Sequence, residues 1–214
     1  PFSQFEYGSV YYFPKGATDS LSIDSVDFRY RLASSFTGAA AQSLLLNVYE
    51  LDASTGFLDN ASLLTQIGVG VASLSGLGTT VAAGDYGIAN FNQIVDAATG
   101  GAMADLKDNG FYFVSVLVAP GLTGGAATFE MEDVPMHGVD DQNMYMNSAM
   151  TAADSVINPS PLQITDAAGT ASWYWTGFGS DYQPSLGIYL SKKITITSTT
   201  VWETEGAELN VYPN

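Results

Sequence analysis

Two stretches of this chain carry side chains whose type and spacing could do chemistry. Asp140-Asp141-Gln142-Asn143, with Glu132 and Asp133 just upstream, is the densest group of side-chain oxygens. Ca²⁺ takes about six to eight oxygen ligands from carboxylates, amides and carbonyls of a flexible loop. Asp140, Asp141 and Asn143 are therefore a candidate cation site, with Glu132 or Asp133 as further ligands; the plainer reading is a solvated acidic loop. Asp52 with Asp59-Asn60 is a sparser second group, and neither has the EF-hand spacing. The other stretch is Trp173-Tyr174-Trp175, which strand alternation splits between two faces, Trp173 and Trp175 sharing one. They are expected to pack between sheets, or else to form a platform on which a sugar ring or a partner side chain stacks.

Catalytic constellations do not emerge. His137 is the sole histidine and sits in Pro135-Met136-His137-Gly138, which reads as a loop. A serine relay needs a base beside a serine on a sharp turn, and no Gly-x-Ser-x-Gly occurs. Zinc would need a second histidine or a cysteine, and the chain has no cysteine. Paired carboxylates for glycoside hydrolysis have no local pattern to select them. No residue is assigned a catalytic role, and no cofactor other than the candidate Ca²⁺ is expected. Met131, Met136, Met144, Met146 and Met150 cluster close in sequence, as core filler or as an adaptable contact patch.

Composition narrows the partners. Six Lys and Arg stand against 22 Asp and Glu, a formal net charge of −16. Such a chain repels phosphate backbones and anionic bilayers, which argues against nucleic acid and against electrostatic membrane binding. Without cysteine there are no disulfides, yet 214 residues suffice to build a core. No apolar run is long enough to span a bilayer, so an integral membrane protein is not expected. Pro1-Phe2-Ser3-Gln4 reads as a mature end after processing.

The elements that would position these residues are strands. Leu106 to Val118 opens on the turn signal Asp108-Asn109-Gly110 and runs apolar on both faces. Phe111, Phe113, Ser115 and Leu117 would share one face; Tyr112, Val114, Val116 and Val118 the other. This is the expected central strand, with 126–131 as a partner. Phe5 to Phe13 is β-prone and interrupted by Gly8. Leu21 to Leu32 alternates, but Leu21 and Ile23 have the opposite parity to Val26, Phe28, Tyr30 and Leu32, which predicts a bulge at Asp24-Ser25. Ser43–Leu51, Leu63–Leu74, a weak strand through Ile88 and Phe91, Ala171–Trp175, Leu186–Leu190 and Ile194–Val201 follow; 34–41 and 93–104 read as loops, the latter with at most one helical turn. The expectation is an all-β, jelly-roll-like sandwich of two antiparallel sheets with little helix, over 1–201 as a single domain.

Residues 202–214 read as an acidic linker that buries too little apolar surface to offset its ordering entropy. It ends in Leu209-Asn210-Val211-Tyr212-Pro213-Asn214. This resembles the start of the type A C-terminal sorting domain of type IX secretion cargo, and the spacing of early, Gly-led and late Trp-containing strands resembles the body of such cargo. The resemblance implies export through the type IX outer-membrane machinery to the surface or surroundings of a Gram-negative bacterium. It implies no catalytic residue, because cargo activities are diverse. The expected function is a non-enzymatic surface binding or adhesion module. The alternatives are a carbohydrate-binding or carbohydrate-active protein, with glycans or surface polymers as partners, and a surface subunit that self-associates through strand edges.

Overall fold

The structure is a computed structural model that describes residues 2–13, 20–32, 36–37, 43–52, 63–73, 80–81, 86–107, 110–118, 129–131, 133–135, 160–174, 182–184 and 186–193. Within them the chain forms the expected all-β sandwich of two antiparallel sheets. The large sheet has seven strands in the order β13 (Ala171–Tyr174), β12 (Leu162–Asp166), β1 (Phe2–Phe13), β9 (Gly110–Val118), β4 (Ser43–Leu51), β5 (Leu64–Ser73) and β8 (Ile94–Asp96). The smaller sheet is built on β2 (Ser20–Leu32). Val26 to Phe28 pair both with β7 (Tyr86–Phe91) and with β15 (Leu186–Lys193), so those two strands flank opposite edges of β2. β10 (Phe129–Met131) continues the β15 edge along Tyr30 to Leu32. Two short pairs complete the described strands: β3 (Phe36–Thr37) with β6 (Thr80–Val81), and β11 (Asp133–Pro135) with β14 (Tyr182–Pro184).

The apolar run Phe111–Val118 occupies the middle of the large sheet, fourth of seven strands. Its two faces enter two apolar layers. Tyr112, Val114, Val116 and Val118 join the main core with Leu44, Leu46 and Val48 of β4 and with Val26, Phe28 and Tyr30 of β2. Phe111 and Phe113 point outward and pack with Val10 and Leu51, with Tyr49, Leu63, Leu64 and Trp173 against them. Burying each such side chain stabilises the fold by about 1.5–3 kcal/mol, so a strand sealed on both faces is the costliest one to displace.

Two local devices shape the sheets. Opposite β15, Ser25 pairs with Tyr189 and Ile23 with Leu190, leaving Asp24 as the extra residue of the predicted bulge. The shift in parity turns Leu21 and Ile23 into the same core as Val26 and Phe28. At Gly8 the chains of β1 and β9 approach so closely that a Cβ would stand 2.1 Å from the Val114 carbonyl oxygen and 2.5 Å from the Ser115 Cα. Glycine interrupts that strand because no side chain fits there.

Several expectations are corrected. Phe129–Met131 does not pair with the central strand; β1 and β4 already occupy both of its edges, and β10 pairs with β2 instead. The stretch 93–104 contains β8, which Asp96 terminates in a tight turn by accepting bonds at Oδ1 from the Ala98 and Thr99 amides at 3.1 and 2.8 Å. The expected loop 34–41 contains β3. β12 went unanticipated, although Asp166 and Gly169 mark the turn into β13. The Asp166 carboxylate accepts from the Ala168 and Thr170 amides at 2.8 Å, and Gly169 has φ +86°. The strand expected at 194–201 and the tail 202–214 lie outside the described residues.

Candidate functional site

The main core lies between the sheets, so the large sheet's other face looks outward. One half of that face is the apolar layer around Phe113; the other half is polar, and the pairing places it residue by residue. Glu6 of β1 lies between Gln163 of β12 and Leu117 of β9, and Leu117 opposes Leu45 of β4. One row along, Gly8, Ser115, Asn47 and Val69 face one another across four strands. Tyr49 and Gln66 are paired in the row beyond, where a register shift after Val48 brings Gln66 onto the outer face.

Glu6 is the centre of this half. It is only 4% exposed, yet it lies on the outward face of the sheet. Its Oε1 accepts hydrogen bonds from Ser115 Oγ at 2.5 Å, Asn47 Nδ2 at 2.8 Å and Tyr49 Oη at 3.0 Å. Asn47 Oδ1 in turn accepts from Gln66 Nε2 at 2.9 Å. The missing side chain at Gly8 is what lets Ser115 reach across to Glu6, because β1 and β9 lie close there. Among the described residues, Oε2 of Glu6 accepts no hydrogen bond. Burial, and then the neighbouring Glu6 carboxyl, push the Tyr49 hydroxyl well above its ordinary range, so Tyr49 stays a neutral donor.

Above these residues lies an open groove of about 480 Å³. Gln4, Glu6, Asn47, Tyr49, Gln66 and Gln163 supply its polar groups; Leu45, Val69, Val71 and Leu117 supply apolar ones. Val71 is 61% and Leu45 36% exposed, which makes them its open rim. Gln4 Nε2 donates to Thr165 Oγ1 at 3.2 Å, whereas the Gln163 side chain has no partner among the described residues. Among the described residues, Glu6 is the groove's only charged lining residue. The arrangement offers amide donors and acceptors beside one carboxyl, which can recognise a ligand. The serine hydroxyl bonded to that carboxyl, Ser115 Oγ, is fully buried, so no ligand reaches it.

The residues singled out from the sequence are distributed differently. Trp173 lies on the outer face opposite Gln163, partly buried, and meets the Phe113 ring edge-on at 6.0 Å. That is inter-residue packing on the apolar half of the face, and it borders the groove through Gln163. Trp175 lies outside the described residues, as do Asp140, Asp141, Asn143, Glu132, His137 and Leu209–Asn214. Asp133 begins β11. Among the described residues no group of three or more His, Cys, Asp or Glu could hold a metal ion, and no helix is long and apolar enough to cross a membrane. Sequence reasoning missed Glu6, Asn47 and Gln66. The available signal was a lone acid in the aromatic run Phe5–Phe13 and a lone amide among Leu44–Val48, each on the strand face that excludes the core.

No family model matches this chain, and no curated protein or solved structure matches it.

Proposed function

We propose that this chain is a non-enzymatic binding or adhesion module of a secreted, type IX-exported protein. Its binding surface is the polar half of the large sheet's outer face. The observation that carries the reading is Glu6: a buried carboxyl with one oxygen saturated by three donors, set at the floor of a groove rimmed by exposed Leu45 and Val71. Folding around an outward-facing carboxyl costs desolvation, and a network that holds it in one orientation is what a binding floor requires. The serine hydroxyl bonded to it is fully buried, which favours recognition over turnover.

Export rests on Leu209-Asn210-Val211-Tyr212-Pro213-Asn214 and their resemblance to a sorting signal. Surface display of the protein in a type IX-competent Gram-negative cell, and its loss when the outer-membrane machinery is deleted, would support that address. Periplasmic retention in both strains would refute it.

Binding is tested with the double variant Leu45→Gln, Val71→Gln, which removes the apolar rim at two exposed positions and adds no charge to a directly paired site. Adhesion of the purified chain to intact bacterial cells and their extracellular polymer is measured on a microbalance. The expected result is loss of adhesion at an unchanged melting temperature. Equal adhesion by wild type and variant would remove this face from the function.

A further inference from the structure

We infer that the groove over Glu6 takes a neutral, hydroxyl-rich ligand, a sugar ring within an oligosaccharide, with Glu6 Oε2 and Gln163 as its principal polar contacts. The inference rests on the reading of this face as a binding surface and adds the ligand's chemical class.

Three observations lead to hydroxyls. First, a carboxyl that is 4% exposed leaves Oε2 without a donor among the described residues while lining the groove. Oε2 is not sealed from solvent, so it stays an open acceptor that water reaches and that a ligand O–H can take over. Second, apart from the Tyr49 hydroxyl, which is held by Glu6, the remaining polar side chains are amides, each carrying donors and an acceptor, as does a pair of vicinal hydroxyls. Gln163, with no side-chain partner among the described residues, is open to that exchange without breaking a bond. Third, Leu45, Val69, Val71 and Leu117 lie around the polar floor, so one bound ring meets hydroxyl-matching amides and C–H-matching side chains together.

Charge argues against anions. Phosphates, sulfates and uronates would approach Glu6 in a groove with no Lys or Arg among its described lining residues, on a chain of net charge −16. A lysine ammonium could bond Oε2 and amide oxygens but would leave the amide N–H groups of the groove unmatched, so it fits only part of the polar lining, and N-acetyl-lysine amide tests it. The volume of about 480 Å³ suits one or two sugar units rather than a folded partner.

The test is titration calorimetry on the full chain with cellohexaose, maltohexaose, xylohexaose, laminarihexaose and chitohexaose. Oligogalacturonate, a chondroitin sulfate hexasaccharide and N-acetyl-lysine amide serve as charged probes. At least one neutral oligosaccharide is expected to bind, with at least tenfold weaker binding for Glu6→Gln and about fivefold for Gln163→Ala. Gln163→Ala removes no hydrogen bond among the described residues, so its melting temperature should hold even if Glu6→Gln folds poorly. Preference for a charged probe would overturn the inference, as would binding of a neutral sugar that Gln163→Ala leaves unchanged. If no neutral oligosaccharide binds at millimolar concentration while adhesion still depends on Leu45 and Val71, the ligand class is wrong and the binding face stands. If adhesion is also indifferent to those two residues, the underlying reading fails as well.

Discussion

Glu6 ties three strands together through one oxygen: its own β1, β9 through Ser115, and β4 through Asn47 and Tyr49. Glu6→Ala would leave buried donors unmatched and a small cavity beneath the groove. Its expected cost is about 2–3 kcal/mol, read as a lower urea midpoint. Glu6→Gln keeps the volume and an acceptor, so its cost should be under half as large. Tyr30 makes a different prediction. It is 2% exposed in the core, and burial raises its hydroxyl to about 12. In the unfolded chain a tyrosine ionises near about 10. Between those two values the unfolded state releases a proton that the folded state keeps, so stability contributed below pH about 10 is lost as pH rises toward about 12. Melting temperature should fall through that window together with the appearance of tyrosinate absorbance, and Tyr30→Phe should lessen the fall without removing it, because burial also raises the Tyr11 hydroxyl to about 12. A melting temperature that stays level to pH about 12 would contradict the assignment.

At the scale of the element, strand β1 is governed by its approach to β9 at Gly8. Gly8→Ala places a Cβ against backbone, at 2.1 Å from the Val114 oxygen, where no rotamer change can relieve it. The strands must separate, at about 3 kcal/mol or more, and the Ser115 bond to Glu6 should be lost with them. Two other glycines calibrate the effect. At Gly169, where φ is +86°, alanine meets open space and should cost only the left-handed strain of about 1–2 kcal/mol. At Gly187 the nearest atom would be an ordinary 3.6 Å away, so alanine there should stay within about 0.5 kcal/mol of wild type. A chemical-denaturation series that ranks these three otherwise would refute the close-approach argument. Amide exchange offers a second check: β9, paired on both edges and covered on both faces, should exchange last, and β8 and β13 at the ends of the sheet first.

At the scale of the molecule, 22 acids against six bases make self-repulsion a standing cost of compactness. Screening shortens the reach of that repulsion to about 10 Å at 0.1 M salt. Melting temperature should therefore rise as NaCl goes from about 0.01 M to about 0.5 M, with no divalent ion needed. Falling stability over that range would mean that attractive pairs, such as Lys107 with Glu50, outweigh the repulsion.

Alternation along the chain was enough to determine the sandwich, because a strand's side chains point to two faces by covalent geometry alone. Thus Phe111–Val118 declared itself central by being apolar on both faces, Asp24 declared a bulge by a break in parity, and Leu44, Leu46 and Val48 declared their shared face. Alternation cannot say which strand lies beside which. Phe129–Met131 carried nothing that favoured β2 over β9, and the short strands at 94–96 and 162–166 gain their stability from neighbours far along the chain. The groove belongs to that second kind of information. Glu6 and Ser115 lie 109 residues apart and Glu6 and Asn47 41 apart, so only strand pairing brings a lone acid, a lone amide and a lone serine onto one patch. Each is unremarked in its own strand, because a polar residue at an outward position is what any half-buried strand allows. Their convergence on a single carboxyl oxygen is a property of register, which long-range packing decides.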